Sequence, residues 1–148
     1  MPDTLSLAET LRDFYIRIHR DLDRRMAASG ASLARTKLLA FIRCRDNARS
    51  ADIVAAFGFA PRTVTEAIDG LERDGLVRRE ADPADRRAKR ILITQAGEAA
   101  IAASEPIYHE LIERVFGPLT PPEREAFAAV MAKLIGNLDS AEPAHDSP

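Results

Sequence analysis

The chain has 148 residues, of which 46% are hydrophobic and 30% are charged, enough to bury the core of one ordinary domain. The sequence has neither an apolar run of membrane-spanning length nor a basic, apolar start typical of a secretory signal, which favours a cytoplasmic protein without a membrane segment. One cysteine and three scattered histidines exclude an internal disulfide and a close-spaced zinc site. We therefore expect no metal and no other cofactor.

The charges are distributed unevenly along the chain. Residues 1–34 carry five basic and five acidic side chains, residues 35–90 carry thirteen and nine, and residues 91–148 carry three and nine. Because cations concentrate where phosphates are bound, the positive middle segment indicates a nucleic-acid-facing module between segments with another role. The alternative is an ordinary solvated surface.

Helical periodicity predicts a long amphipathic first helix over 6–28. Its apolar residues recur every three or four positions, at Leu7, Leu11, Phe14, Ile18, Leu22 and Met26. Ser29 and Gly30 end this helix, and Ser32 is suited to cap a second helix.

The following segment has the composition of a helix-turn-helix. A short helix capped by Ser50 ends at Gly58, where a left-handed residue reverses the chain. Pro61 then opens a helix to about Asp74, whose inward stripe contains Val64, Ala67, Ile68 and Leu71. We expect its outward side chains to contact DNA in the major groove, namely Arg62, Thr63, Thr65, Glu66 and Arg73.

Two short segments, Leu76-Val77-Arg78-Arg79-Glu80 and Ile91-Leu92-Ile93, flank a charged loop and predict a β-hairpin. The loop has four cations within residues 86–90, and a narrow loop with arginine at its tip fits a minor groove. We expect Arg87 to enter that groove and Asp85 to orient it by a charge-assisted hydrogen bond. The remaining cations are expected to contact phosphates, namely Arg86, Lys89 and Arg90.

Two more helices are predicted within 95–138. Thr94 is suited to cap the first, and Thr120 to Glu123 has the spacing of a capping box at the start of the second. The apolar faces of 6–28 and 95–138 exceed what one small module can cover, so we expect both segments to form a homodimer interface. The polar residues 139–148 predict a disordered tail.

The middle of the chain is similar to the winged helix-turn-helix of the MarR family of transcriptional regulators. The resemblance is carried by Ala60-Pro61-Arg62-Thr63-Val64-Thr65, by Leu71-Glu72-Arg73-Asp74-Gly75-Leu76-Val77, and by Asp85-Arg86-Arg87-Ala88-Lys89 leading to Thr94-Gln95-Ala96-Gly97. It extends to nearly the whole chain except the last ten residues. The departures are Ala60 where the family commonly has a serine cap, Glu66 where arginine is common, and Gly70 inside the helix.

This resemblance implies a mainly α fold with a small β-hairpin wing. It implies a single domain over 1–138, in which a winged helix-turn-helix at 33–94 lies between dimerisation helices at 6–28 and 95–138. It also implies a homodimeric repressor that a small aromatic or phenolic effector releases from a pseudo-palindromic, double-stranded DNA operator.

The candidate effector-binding residues are Tyr15 and His19, which lie four apart and therefore on one face of the first helix. Such a pair is suited to contact an aromatic acid. The alternative places Tyr15 in the dimer interface and His19 at the surface.

Two other regulatory functions remain open, and enzymatic activity is not expected because the sequence has no nucleophile, metalloprotease or phosphate-loop motif. Cys44 lies between Arg43 and Arg45, and neighbouring cations favour a reactive thiolate in a redox-sensing regulator. A small buried side chain is the alternative for Cys44. A non-specific architectural DNA binder would share the basic charges but lack an operator.

Overall fold

The computed structural model describes residues 1–141. Within this range the chain forms six helices and one two-stranded sheet, in the order α1 (Thr4–Ala28), α2 (Leu33–Arg43), α3 (Ser50–Phe57), α4 (Pro61–Arg73), β1 (Val77–Ala81), β2 (Lys89–Ile93), α5 (Gln95–Phe116) and α6 (Pro121–Ala141). The mainly α fold with a β-hairpin wing is confirmed. No helix among these residues is long and apolar enough to cross a membrane.

Polar side chains fix the starts of the first three helices. The Ser32 hydroxyl accepts a hydrogen bond from the Arg35 N–H at 3.3 Å, as predicted. Ser50, by contrast, is the first residue of α3 rather than its cap. The cap is Arg49, because the Asp52 carboxylate reaches back to accept from the Arg49 N–H at 2.8 Å.

By its internal contacts the chain divides into two units, Met1–Leu111 and Ile112–Pro148. The core of the first unit joins α2, α3, α4, the hairpin and the first half of α5, and its buried side chains include Leu39, Ile42, Ile53, Ile68, Leu71, Ile91 and Ile101. Ala67 was expected on this inward stripe but is exposed. It lies one residue before the fully buried Ile68, on the edge of the stripe.

The hairpin is antiparallel and pairs Val77 with Ile93 at its base and Ala81 with Lys89 next to the loop. A third segment supports it, because the Ile91 N–H donates to the Ala48 carbonyl oxygen at 2.7 Å. The hairpin is thereby fixed to the chain just before α3.

The second unit is described from Ile112 to Ala141. One of the two bonds of the predicted capping box is present, since the Glu123 carboxylate accepts from the Thr120 N–H at 2.8 Å, while the Thr120 hydroxyl donates to the same carboxylate at 2.8 Å. These two bonds lower the pKa of Glu123. Helix α6 has no buried residue and continues to Ala141, three residues past its predicted end at 138. The rest of the predicted tail, 142–148, lies outside the described residues, and the single domain expected over 1–138 spans both units.

Candidate nucleic-acid interface

Helix α4 is presented by a tight turn and held from one side by the core. Gly58 ends α3 with a φ of +68°, which favours glycine because it has no Cβ, and Pro61 is the first residue of α4. Val64, Ile68 and Leu71 are at most 2% exposed. The opposite face of α4 is therefore fixed in position while facing solvent.

The predicted major-groove residues lie on the outward side of α4. The Arg62 Nε donates to Glu66 Oε1 at 3.0 Å, and both side chains are exposed. The Thr65 hydroxyl donates to the Pro61 carbonyl oxygen at 3.0 Å. Thr63 is exposed and lines a groove between α2, α3 and α4, and Arg73 Nε lies 3.9 Å from the Asp74 carboxylate.

The other acidic side chains at this helix bind arginines from outside it. Arg79 of β1 donates to Asp69 at 2.6 Å and to Glu72 at 3.0 Å. Arg35 of α2 donates to the Asp74 carboxylate, and this bond lowers the pKa of Asp74. Neither arginine was predicted to lie at this helix. The only sequence signal is for Arg79, which alternates with the buried Val77 and so lies on the inward face of β1.

The base of the wing is fixed by a buried carboxylate that the sequence analysis also missed. Asp82 is 2% exposed. It accepts from the Ala84 N–H at 2.9 Å and from Nε of Arg49 at 3.0 Å, and these bonds lower the pKa of Asp82. Because Arg49 is the cap residue of α3, this pair joins the wing to the helix-turn-helix.

At the wing tip the predicted orienting bond takes a different form. The Asp85 carboxylate accepts from the backbone N–H of Arg87 at 3.0 Å, so it shapes the loop instead of holding the guanidinium. The side chains of Arg86, Arg87 and Lys89 are exposed, and none makes a hydrogen bond or ion pair with the residues that the structure describes. The wing tip, residues 83–89, therefore presents three cations that are unpaired among the described residues.

Arg90 differs from the exposed phosphate-contacting residue that was expected. The hairpin register places it opposite Glu80, and its guanidinium donates to Glu80 at 3.0 Å and to the Asn47 side chain at 3.4 Å. Its Nε is buried without a hydrogen-bond partner in the described part of the chain. Arg90 is thus half-buried, and its guanidinium is bound by two side chains of the protein itself.

The candidate effector residues lie together, as their spacing predicted. The rings of Tyr15 and His19 are 5.0 Å apart, and Lys37 of α2 places Nζ 3.0 Å from Nε2 of His19. Burial lowers the pKa of Lys37. Lys37 is an addition to the predicted set, since no local pattern connects it to α1.

Cys44 is exposed at the C-terminal cap of α2, which corrects the expectation of a small buried side chain. Of its neighbours, Arg43 lies 3.6 Å from Glu105, while Arg45 stacks over the Phe41 ring at 4.8 Å. Within residues 1–141 no group of side chains is arranged to bind a metal ion.

Comparison with known proteins places these features in a family. Residues 31–89 match the MarR family model. A MarR-family transcriptional regulator from Silicibacter pomeroyi is 30% identical, with a TM-score of 0.71 over 93% of this chain and 90% of that one. The chain belongs to the MarR family.

Two further relatives of this MarR-family chain bear on its function. The transcriptional regulator HosA of Escherichia coli O111:H- is 38% identical over 73 residues, which cover 49% of this chain and 54% of HosA. The match thus spans about half the length of that relative. BpsR of Bordetella bronchiseptica, whose DNA binding is regulated by 6-hydroxynicotinic acid, is 26% identical, with a TM-score of 0.73 over 90% of this chain and 97% of BpsR. HosA and the Silicibacter protein are transcriptional regulators rather than enzymes.

Proposed function

We propose that this MarR-family chain is a sequence-specific transcriptional regulator that binds double-stranded DNA as a homodimer. Each copy places α4 in a major groove and the wing, residues 82–90, in the adjacent minor groove. The observation that carries the proposal is the wing tip, where Arg86, Arg87 and Lys89 are exposed and unpaired among the described residues. Unpaired cations on a narrow projection are what binding to a duplex backbone and its minor groove requires.

The rigid base of the wing supports this role. Asp82 is bound by Arg49 and by the Ala84 N–H, and the wing closes through a hydrogen bond from the Asp82 N–H to the Ala88 carbonyl oxygen at 3.0 Å. Arg79 adds a second fixed connection, from β1 to α4. The wing and α4 therefore approach a duplex as one preorganised surface, which limits the entropy lost on binding.

Dimerisation is supported in each unit by apolar side chains that the chain itself leaves exposed. In α1 the predicted stripe is buried only at its end, at Leu22 and Met26, whereas Leu7 is 55% exposed and Leu11 is 40% exposed. In α6 the exposed apolar residues are Phe127, Val130, Leu134, Ile135 and Leu138. A second copy related by a twofold axis would cover such surfaces. Two α4 helices would then bind half-sites about 34–36 Å apart in a pseudo-palindromic operator.

We further propose that a small aromatic or phenolic acid releases the repressor from its operator. Tyr15 and His19 offer ring faces, and the Lys37 ammonium beside His19 offers a charge for a carboxylate. The effector that regulates BpsR is itself an aromatic acid. A ligand bound between α1 and α2 would shift α2, the helix that leads into the helix-turn-helix of α3 and α4.

The proposal is tested by titrating the purified protein, at fixed salt, against the DNA upstream of its own gene and a scrambled duplex of equal length. Light scattering measures the mass of the free and bound protein. We expect one dimer to bind a site in the upstream DNA much more tightly than the scrambled duplex. Equal affinity for both duplexes would favour the non-specific architectural function, and a free monomer would contradict the dimer.

The effector is tested in the same assay with 4-hydroxybenzoate as the probe and 4-hydroxybenzyl alcohol as the uncharged control. We expect the acid to release the operator complex and the alcohol to be weaker. Lys37→Met should remove this difference without changing DNA binding in the absence of the probe. No release by the acid would contradict an aromatic acid as effector.

A further inference from the structure

Glu66 is an acidic residue on the face of α4 that is proposed to meet a polyanion. Its side chain is 66% exposed, and a carboxylate there repels phosphate. The other carboxylates at this helix are bound by arginines of β1 and α2. Among the described residues Glu66 is paired within α4 itself, with Arg62 one turn before it. Its charge is therefore held at the surface that faces the ligand.

The Arg62–Glu66 pair leaves a defined set of donors and acceptors. The bond joins Nε of Arg62 to Oε1 of Glu66 at 3.0 Å, so the two terminal nitrogens of the guanidinium and Oε2 of the carboxylate stay free in this contact. Arg62 is 89% exposed, and both side chains are on the outward face. The pair thus extends over about 6 Å of helix, which corresponds to one or two base pairs of a duplex.

We propose that Arg62 and Glu66 act as one unit that reads a G·C pair in each half-site. This inference rests on the proposed function and names the base pair that α4 recognises. The Arg62 fork donates to O6 and N7 of guanine, and Glu66 accepts from the N4 amino group of cytosine in the same or the neighbouring pair. The bond between them fixes the direction of the guanidinium before DNA is bound.

The carboxylate contributes mainly by rejecting other bases. Thymine O4 and the O6 and N7 atoms of guanine are acceptors, so a carboxylate facing them stays desolvated and unpaired. Adenine N6 is a donor but lies beside the N7 acceptor. Glu66 thus weakens binding to DNA in general, and it weakens binding least where cytosine N4 lies opposite its carboxylate. Specificity then comes from repulsion of the wrong sites.

The experiment selects binding sites from a randomised duplex pool with the wild type, and then measures affinity for every single-base change in the selected half-site. We expect a G·C pair at which A·T lowers wild-type affinity about tenfold or more. With Glu66→Gln we expect this discrimination to fall to about twofold while affinity for scrambled DNA rises. Because the side chain is exposed, thermal unfolding of E66Q should match the wild type.

Asp46→Asn is the control for net charge. It removes one negative charge from the same module, but Asp46 is exposed in the turn after α2 and its side chain is unpaired among the described residues. We expect D46N to keep the wild-type base preferences. The inference is overturned if E66Q keeps full discrimination at every position, or if D46N loses it equally. A wild type that selects no sequence would overturn the proposed function as well, so the two failures are distinguishable.

Discussion

Helix α4 and the wing tip are adjacent surfaces of one module, yet they are built in opposite ways. Val64, Ile68 and Leu71 anchor α4 in the core, and its carboxylates are bound to arginines. The wing tip, residues 83–89, has no buried side chain, and its three cations are unpaired in the described part of the chain. The difference separates two tasks, because a fixed and nearly neutral surface suits base edges whereas free cations suit phosphates and a narrow minor groove.

The largest effect is expected from breaking the anchor of α4. Ile68 is 0% exposed, so Ile68→Ala should lower the free energy of unfolding by about 2–5 kcal/mol through lost contacts and a residual cavity. Arg86→Ala at the wing tip should change it by less than about 0.5 kcal/mol. Urea unfolding of both variants measures the contrast. Similar losses of unfolding free energy in the two variants would mean that the Arg86 side chain also stabilises the fold.

Removing the groove-directed arginine should affect the operator most. Arg87→Ala is expected to weaken operator binding by about 1–3 kcal/mol, and to weaken binding to scrambled DNA less, because the lost contact depends on groove shape. Arg78→Ala is the control, since Arg78 is an exposed hairpin arginine that lies 3.1 Å from Glu80. Equal losses of affinity for the operator and the scrambled duplex would mean that Arg87 contacts only phosphate.

The wing base should make the stability of the fold depend on pH. Hydrogen bonds from Ala84 and Arg49 lower the pKa of Asp82 from its ordinary 3.8 in the folded protein. The ionised carboxylate therefore stabilises the fold above that pH, and this contribution is lost as the pH falls through the lowered pKa. Asp82→Asn should be less stable than the wild type at neutral pH, and the gap in urea unfolding should close in acid. If the difference in unfolding free energy between the wild type and D82N does not change with pH, the loss of stability comes from packing and not from the carboxylate charge.

The smallest effect concerns a single phosphate contact. Lys89→Ala should weaken binding to operator and scrambled DNA equally, and should reduce the slope of log affinity against log salt by about one. Titrations at several salt concentrations measure that slope. A loss confined to the operator would move Lys89 from the backbone to the set of base-reading residues.

The elements that local chemistry controls were predicted well. Apolar periodicity, Gly58, Pro61 and the Thr120 capping box all placed helix ends close to where the structure has them. The run of cations at 86–90, between two short predicted strands, identified the loop of the wing. These features depend on residues within a few positions of one another, which a sequence displays directly.

The missed features depend on pairs that are distant in the sequence. Arg35 and Asp74 are 39 positions apart, and Arg49 and Asp82 are 33 apart. Arg90 was expected at the surface because it ends a basic run, but strand pairing places it opposite Glu80. In each case tertiary packing decided what local composition left open.

The three-way contact of Arg79 has a mechanical consequence. One guanidinium holds two carboxylates of α4 while the strand that carries it leads directly into the wing. Bending between α4 and the wing would break these hydrogen bonds, so the two proposed reading elements should move as a single stiff body. In the proposed dimer of such bodies the remaining freedom would be their separation and mutual tilt. The proposed effector would then need no change inside either body; it would only have to alter the distance between the two α4 helices, so that they no longer match half-sites one turn of the duplex apart.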